Sequence, residues 1–135
     1  MAKIQKLNPK GLYFRMVDNK PMYSHMVTVE GPGKLVFISG QVSRDEHGNT
    51  VGKGDMRAQI KQVTENMKTA LAAAGGGLEN LVKSTTFVTD YDEYNKHTDL
   101  RMALFGPSLA TAATVQVARL ALPDYYLEIE AIAVI

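Results

Sequence analysis

The sequence predicts an α+β fold in which two helices pack on one face of a mixed sheet, in the order ββαβαββ. Three observations carry this reading. After Asp55, the apolar residues Met56, Ile60, Val63, Met67, Ala70, Leu71 and Ala74 recur at helical steps and form one stripe, which Gly75-Gly76-Gly77 ends. The final stretch, Tyr126 to Ile135, alternates with the period of a β-strand. At 135 residues and 45% hydrophobic composition, the chain is the right size for one core and one domain over residues 1–135.

Tyr23 to Val29 reads as the first strand and Leu35-Val36-Phe37-Ile38 as the second. Gly31-Pro32-Gly33 between them is a strong turn signal, so a hairpin is expected. The second strand runs into Ser39-Gly40-Gln41, and Arg44 to Asn49 is polar and turn-rich enough to form a surface loop. Asp55 is placed to cap the helix that bears the apolar stripe. Lys83 to Thr89 follows as a strand, and Asp92 to Phe105 as a shorter helix that stops at Gly106-Pro107. Thr114 to Leu122 and Tyr126 to Ile135 are the last two strands. No element remains to cover the second face of the sheet, so self-association is expected to bury it.

Fifteen basic and 14 acidic residues leave a formal charge of +1, which provides no electrostatic footprint for tight binding to nucleic acid or membrane. The absence of cysteine excludes disulfides, thiolate nucleophiles and cysteine-ligated metals. His25, His47 and His97 are scattered without a pair at ligand spacing, so no metal site is expected. Gly75-Gly76-Gly77 follows a helix and Gly52-Lys53-Gly54 lacks the rest of a P-loop, so both read as caps and turns. Met1 to Pro9 lacks the apolar segment of a secretory signal, and no stretch approaches the length of a membrane span; a cytoplasmic protein is expected.

The strand period places Glu128 and Glu130 on one face, beside Ile132 and Val134. An ionised carboxylate in so apolar a strand is costly unless it is paired, hydrogen-bonded or set beside water that it uses, so chemistry is sought here first. The alternative is a carboxylate facing solvent at a sheet edge. If both were buried together, Glu130 would tune Glu128 by like-charge repulsion. Ser39-Gly40 reads as a strand end where backbone amides are available to a ligand, and the neighbours of Ser39 do not form a nucleophile elbow. Tyr125-Tyr126 suits either stacking on a planar ligand or packing.

Taken together, Tyr23-Ser24, Phe37-Ile38-Ser39-Gly40-Gln41, Phe87-Val88-Thr89-Asp90, Val115-Gln116-Val117-Ala118-Arg119-Leu120 and Glu128-Ile129-Glu130-Ala131-Ile132-Ala133 strongly resemble the RidA/YjgF family. The resemblance spans nearly the whole chain. It implies a chorismate-mutase-like fold with a mixed sheet of six strands, assembled as a homotrimer with small-molecule clefts between subunits. It also implies cofactor-independent hydrolysis of 2-imino acids, or their enamine tautomers, to 2-keto acids and ammonia. By the same resemblance Glu128 positions water, Tyr23 lines the cleft, and Ser39 and Gly40 contact the ligand. Thr98 stands where some members have Asn, and Thr114 where many have Cys or Thr.

The chain departs from the family at Ala112, where active deaminases carry an Arg that clamps the substrate carboxylate. General 2-imino acids are therefore expected to be poor substrates. Arg119 matches an Arg that is already present beside the clamp in other members, whereas Arg15, Arg101 and Lys10 are the remaining candidates to reach the cleft. Three functions are carried forward: a hydrolytic deaminase acting on an imine, enamine or related electrophile through Glu128; a ligand-binding homotrimer without turnover; and the endoribonuclease or translation-inhibitor activity named for some relatives, which the near-neutral charge supports least.

Overall fold

The fold is described from a computed structural model, over residues 2–135. Strand β1 (Lys3–Leu7) pairs antiparallel with β4 (Met26–Glu30) as a separate two-stranded ladder, and β2 (Met16–Val17) pairs with β3 (Lys20–Pro21). Strand β5 (Leu35–Gln41), helix α1 (Met56–Ala73), strand β6 (Leu81–Val88), helices α2 (Tyr91–Asn95) and α3 (Thr98–Phe105), strand β7 (Thr111–Gln116) and strand β8 (Leu127–Val134) complete the chain. The main sheet has the order β5-β8-β6-β7, with β6 and β7 parallel and the other neighbours antiparallel.

Asp55 caps α1 as expected, its side chain accepting a hydrogen bond from the Ala58 N–H at 3.0 Å. The helix ends where Gly75 takes a φ of +94°, a conformation that costs glycine little. Its stripe of Met56, Ile60, Val63, Met67 and Leu71 is buried against Leu127, Ile129, Ala131 and Ala133 of β8 and Leu81 and Val88 of β6. Gln59 is fully buried within this stripe. Its amide donates to the carbonyls of Gly52 and Asp124 at 3.1 and 2.8 Å and accepts from the Tyr126 N–H at 2.9 Å, which ties the loop before β8 to the helix. A buried amide is tolerated there because both ends of it are satisfied.

Four expectations are corrected. The hairpin between the first two predicted strands does not form: β4 pairs with β1 in the register Lys3↔Glu30 to Leu7↔Met26, while β5 pairs with β8. The turn at Gly31-Pro32-Gly33 redirects the chain, and Lys34 exchanges hydrogen bonds with Ile135 at 2.6 and 2.9 Å. The sheet accordingly has four strands in one ladder rather than six, the N-terminal strands forming their own pairs. The helix expected over Asp92 to Phe105 is two helices. Asp90 caps α2 through the Glu93 N–H, and the Thr98 hydroxyl donates to the Asn95 carbonyl at 2.8 Å, so polar side chains satisfy the backbone at the break. The strand expected over Thr114 to Leu122 begins at Thr111 and ends at Gln116, because its parallel partner β6 ends at Val88, the residue opposite Gln116.

The helices lie on one side of the sheet. On the other side Phe37 is 73% exposed and Leu35 57%, in line along β5 because strand side chains repeat every two residues.

Candidate functional site

Pairing of β5 with β8 is regular from Leu35↔Val134 to Ile38↔Ala131 and then slips, so that Gln41 stands opposite Ile129. Ser39 and Gly40 together therefore face the single residue Glu130, which is a β-bulge. The bulge brings Gly40 beneath the side chain of Glu128. A Cβ added to Gly40 would lie 1.9 Å from Glu128 Oε1 and 2.7 Å from its Cδ. Gly40 is not among the glycines with positive φ, so this position requires the absence of a side chain rather than freedom of the backbone.

Glu128 is half-buried and points away from the helices, whereas its neighbours Leu127 and Ile129 are buried beneath them. Phe37, Ser39, Lys83, Thr85, Glu130 and Ile132 line a hollow of about 290 Å³ on that uncovered face. Glu130 is exposed, so the two carboxylates share a face without being buried together, and the condition set for like-charge tuning is not met within the chain.

Ala112 and Thr114 lie on the opposite face. The parallel register sets Ser84 beside Ala112 and Thr86 beside Thr114. All four line a cavity of about 80 Å³ between the sheet and α3. Arg101, Met102 and Phe105 of α3, Tyr94 of α2, Ser108 and Ile129 supply further walls. Arg101 sits over the Tyr94 ring, its guanidinium carbon 4.0 Å from the ring centroid, and donates to Asn95 Oδ1 at 3.4 Å. Burial pushes the Tyr94 hydroxyl pKa up, opposed by the nearby Arg101 charge.

Tyr23 lies in an aromatic group with Phe14 and His25, its ring centroid 5.3 and 5.2 Å from theirs, and its hydroxyl accepts from the Arg15 N–H at 3.4 Å. The Ser24 N–H donates to the Ala110 carbonyl, which anchors this segment at the start of β7, and Met22 reaches the Arg101 cavity. Thr98 lines neither hollow, its hydroxyl being used at the break between α2 and α3. Arg15 and Lys10 are exposed and line neither hollow. Arg119 folds onto its own loop, donating to the carbonyls of Leu120 and Ala121.

One chain thus brings Glu128 together with Gly40, and separately brings Ala112 and Thr114 together with Arg101. The sheet stands between the two groups. The residues missed by sequence reasoning are Ser84, Thr86 and Tyr94; Ser84 and Thr86 are signalled by small polar side chains alternating on the core-facing side of β6, whereas Tyr94 of α2 carries no such signal. Among the described residues no cluster of His, Cys, Asp and Glu is suited to hold a metal, and no helix is long and apolar enough to cross a membrane. His25 bonds the Tyr13 carbonyl at 2.9 Å, His97 lies between Arg57 and Glu93, and His47 is exposed.

Fold and site define an α+β protein with helices on one face of a mixed sheet and a carboxylate held at a bulge on the other. The family model described as Endoribonuclease L-PSP matches residues 17–135, and the chain belongs to this family, RidA/YjgF. It is 35% identical over 126 residues to a RutC family protein of Pyrococcus abyssi, covering 92% of this chain and 96% of that one. It is 33% identical over 113 residues to the human 2-iminobutanoate/2-iminopropanoate deaminase, covering 83% of this chain and 79% of that one. The crystal structure of YyfB from Yersinia pestis, described as a protein of unknown function of the Rid family, superposes with a TM-score of 0.81 at 29% identity, covering 98% of each chain.

Proposed function

We propose that this chain is a cytoplasmic hydrolytic deaminase acting on a small imine, enamine or related electrophile, in a cleft between subunits of a homotrimer. The observation that carries this reading is the Glu128 side chain, half-buried and laid across the bare backbone of Gly40 on the uncovered face of the sheet. A carboxylate so held can orient a water molecule toward an electrophilic carbon, and the bulge leaves room at Ser39 and Gly40 for a ligand. Membership in a family that includes a 2-iminobutanoate/2-iminopropanoate deaminase supports the reaction class.

In the reaction, water oxygen bonds to the carbon of a protonated imine while Glu128 accepts a water proton. Glu128 then returns that proton to the nitrogen of the resulting carbinolamine. The C–N bond then breaks with its electron pair on nitrogen, leaving ammonia and, after loss of the hydroxyl proton, a carbonyl product. Glu128 and the Ala112–Thr114 cavity lie on opposite faces of one sheet, so a cleft that uses both takes them from two copies. Exposed Phe37 and Leu35 give the uncovered face a reason to associate.

A second reading, a ligand-binding homotrimer without turnover, is favoured by Ala112 in place of the clamp arginine. Ammonia release from freshly generated 2-iminobutanoate decides between the two. Turnover in the native protein that drops by roughly 10²-fold or more in Glu128→Gln is expected for a positioned general base; retained turnover in Glu128→Gln would remove the mechanism.

A further inference from the structure

Arg101 is half-buried, yet no carboxylate among the described residues lies within ion-pair distance of it. Its guanidinium is therefore available to an anion that enters beside it. Its position is held on two sides, by the stack on Tyr94, itself only 4% exposed, and by the bond to Asn95. The cavity it faces has the hydroxyl side chains of Ser84 and Thr86 and the methyl of Ala112 on its far walls, and no acidic residue. Ala112 is exposed, so the cavity opens at β7, the edge strand of the sheet. A guanidinium presents a planar fork of donors that fits a carboxylate, and hydroxyls can supply further hydrogen bonds.

Resting on the deaminase reading above, we propose that Arg101, projecting from α3, binds the substrate carboxylate in place of the arginine absent at position 112. The small residue at 112 then has a positive role. An arginine there would place a second cation in a cavity of about 80 Å³ already faced by Arg101, whereas alanine leaves the space to the ligand. The same volume restricts the ligand to a compact monocarboxylate head, the class to which short-chain 2-imino and 2-keto acids belong.

The test is calorimetric binding of 2-oxobutanoate, a stable keto acid, with 2-butanone as the probe lacking the carboxylate. Native protein should bind 2-oxobutanoate and not 2-butanone. Arg101→Gln should weaken binding roughly ten- to a hundredfold, as expected for a lost charge-assisted pair. Arg101→Lys should keep part of it, and Arg101→Gln with Ala112→Arg should regain it. Thermal melting of each variant shows whether the Tyr94 platform has survived, and rescue by the double variant separates a lost cation from a lost fold. Equal affinity in native protein and Arg101→Gln, or no binding by native protein, overturns the proposal. Ammonia release with an unchanged KM in Arg101→Gln also overturns it while leaving the deaminase reading intact; Arg101-dependent binding without any ammonia release supports it and overturns the deaminase reading instead.

Discussion

Substituting Gly40 by alanine isolates the contact on which the proposed chemistry depends. The new Cβ would stand 1.9 Å from Glu128 Oε1, whereas an ordinary contact needs about 3.5 Å, so the carboxylate must move by roughly 1.5 Å. The obstructing atoms are the far end of a flexible side chain, and the backbone of Gly40 does not occupy the left-handed region. The fold should therefore bear the change well. Turning Glu128 out of its preferred rotamer costs about 0.5–1.5 kcal/mol, and alanine returns about 0.4–1 kcal/mol by restricting the unfolded chain. The net change in stability is within about 1 kcal/mol. The reaction should bear it poorly, since displacing a positioned group by about 1 Å can cost on the order of 10²-fold in rate. Steady-state ammonia release, measured alongside denaturant unfolding, separates these effects. A kcat/KM near the native value in Gly40→Ala would show that the placement of Glu128 over Gly40 does not matter to turnover.

Two further predictions concern the scaffold. Gln59→Ala removes three hydrogen bonds from a fully buried site and strands backbone groups at Gly52, Asp124 and Tyr126, so unfolding free energy should fall by roughly 2–4 kcal/mol; a loss below about 1 kcal/mol in urea unfolding would contradict the role of Gln59 as the tie between α1 and β8. Acid should loosen the α2–α3 junction. Lys96 and then His97 hold the Glu93 carboxyl below its ordinary pKa, and the side-chain bonds from Arg57 foremost do the same for Asp99. Because both folded-state values are depressed, their contribution is complete above the ordinary carboxylate range, is lost as pH falls through the lowered values, and is unaffected near neutrality. Amide hydrogen exchange in α3, compared at about pH 6 and about pH 3 after correction for intrinsic rates, should show protection falling at the lower pH; equal protection would contradict it.

The parts of this fold legible in the sequence are those with a long, consistent period. The α1 stripe has both a cap at Asp55 and a stop at Gly75, and β8 alternates over eight residues, so each announces its own type and buried face. Strand partnership is a different matter. The turn at Gly31-Pro32-Gly33 is a local signal, but whether β4 pairs with β5 depends on whether another strand claims its edge, and β1 does so with only Lys3-Ile4-Gln5-Lys6-Leu7 to advertise it. The extent of β7 is likewise set by where β6 ends.

The candidate site divides along the same line. That Glu128 and Glu130 share one face of β8 followed from strand period alone; which face that is did not. Nor did the meeting of Glu128 with Gly40, because the bulge at Ser39-Gly40 is a slip in register between strands distant in sequence. Arg101 was one of several cations in the sequence with no means of ranking them. Its place beside Ala112 arises from the break at Asn95–Thr98, which starts a second helix there, and from the packing of α3 over the sheet.

The central claim, that a working cleft draws Glu128 from one copy and the Arg101 cavity from another, is tested most directly by mixing subunits. Glu128→Gln and Arg101→Gln proteins, each expected to be inactive or nearly so, are unfolded together, refolded at equal ratio and assayed for ammonia release from 2-iminobutanoate. With random assembly, about one quarter of clefts receive an intact residue from each parent, and activity should reappear at about that fraction of the native level. If the mixture reassembles as trimers and stays as inactive as its parents, Glu128 and Arg101 do not meet across a subunit boundary and the account is wrong.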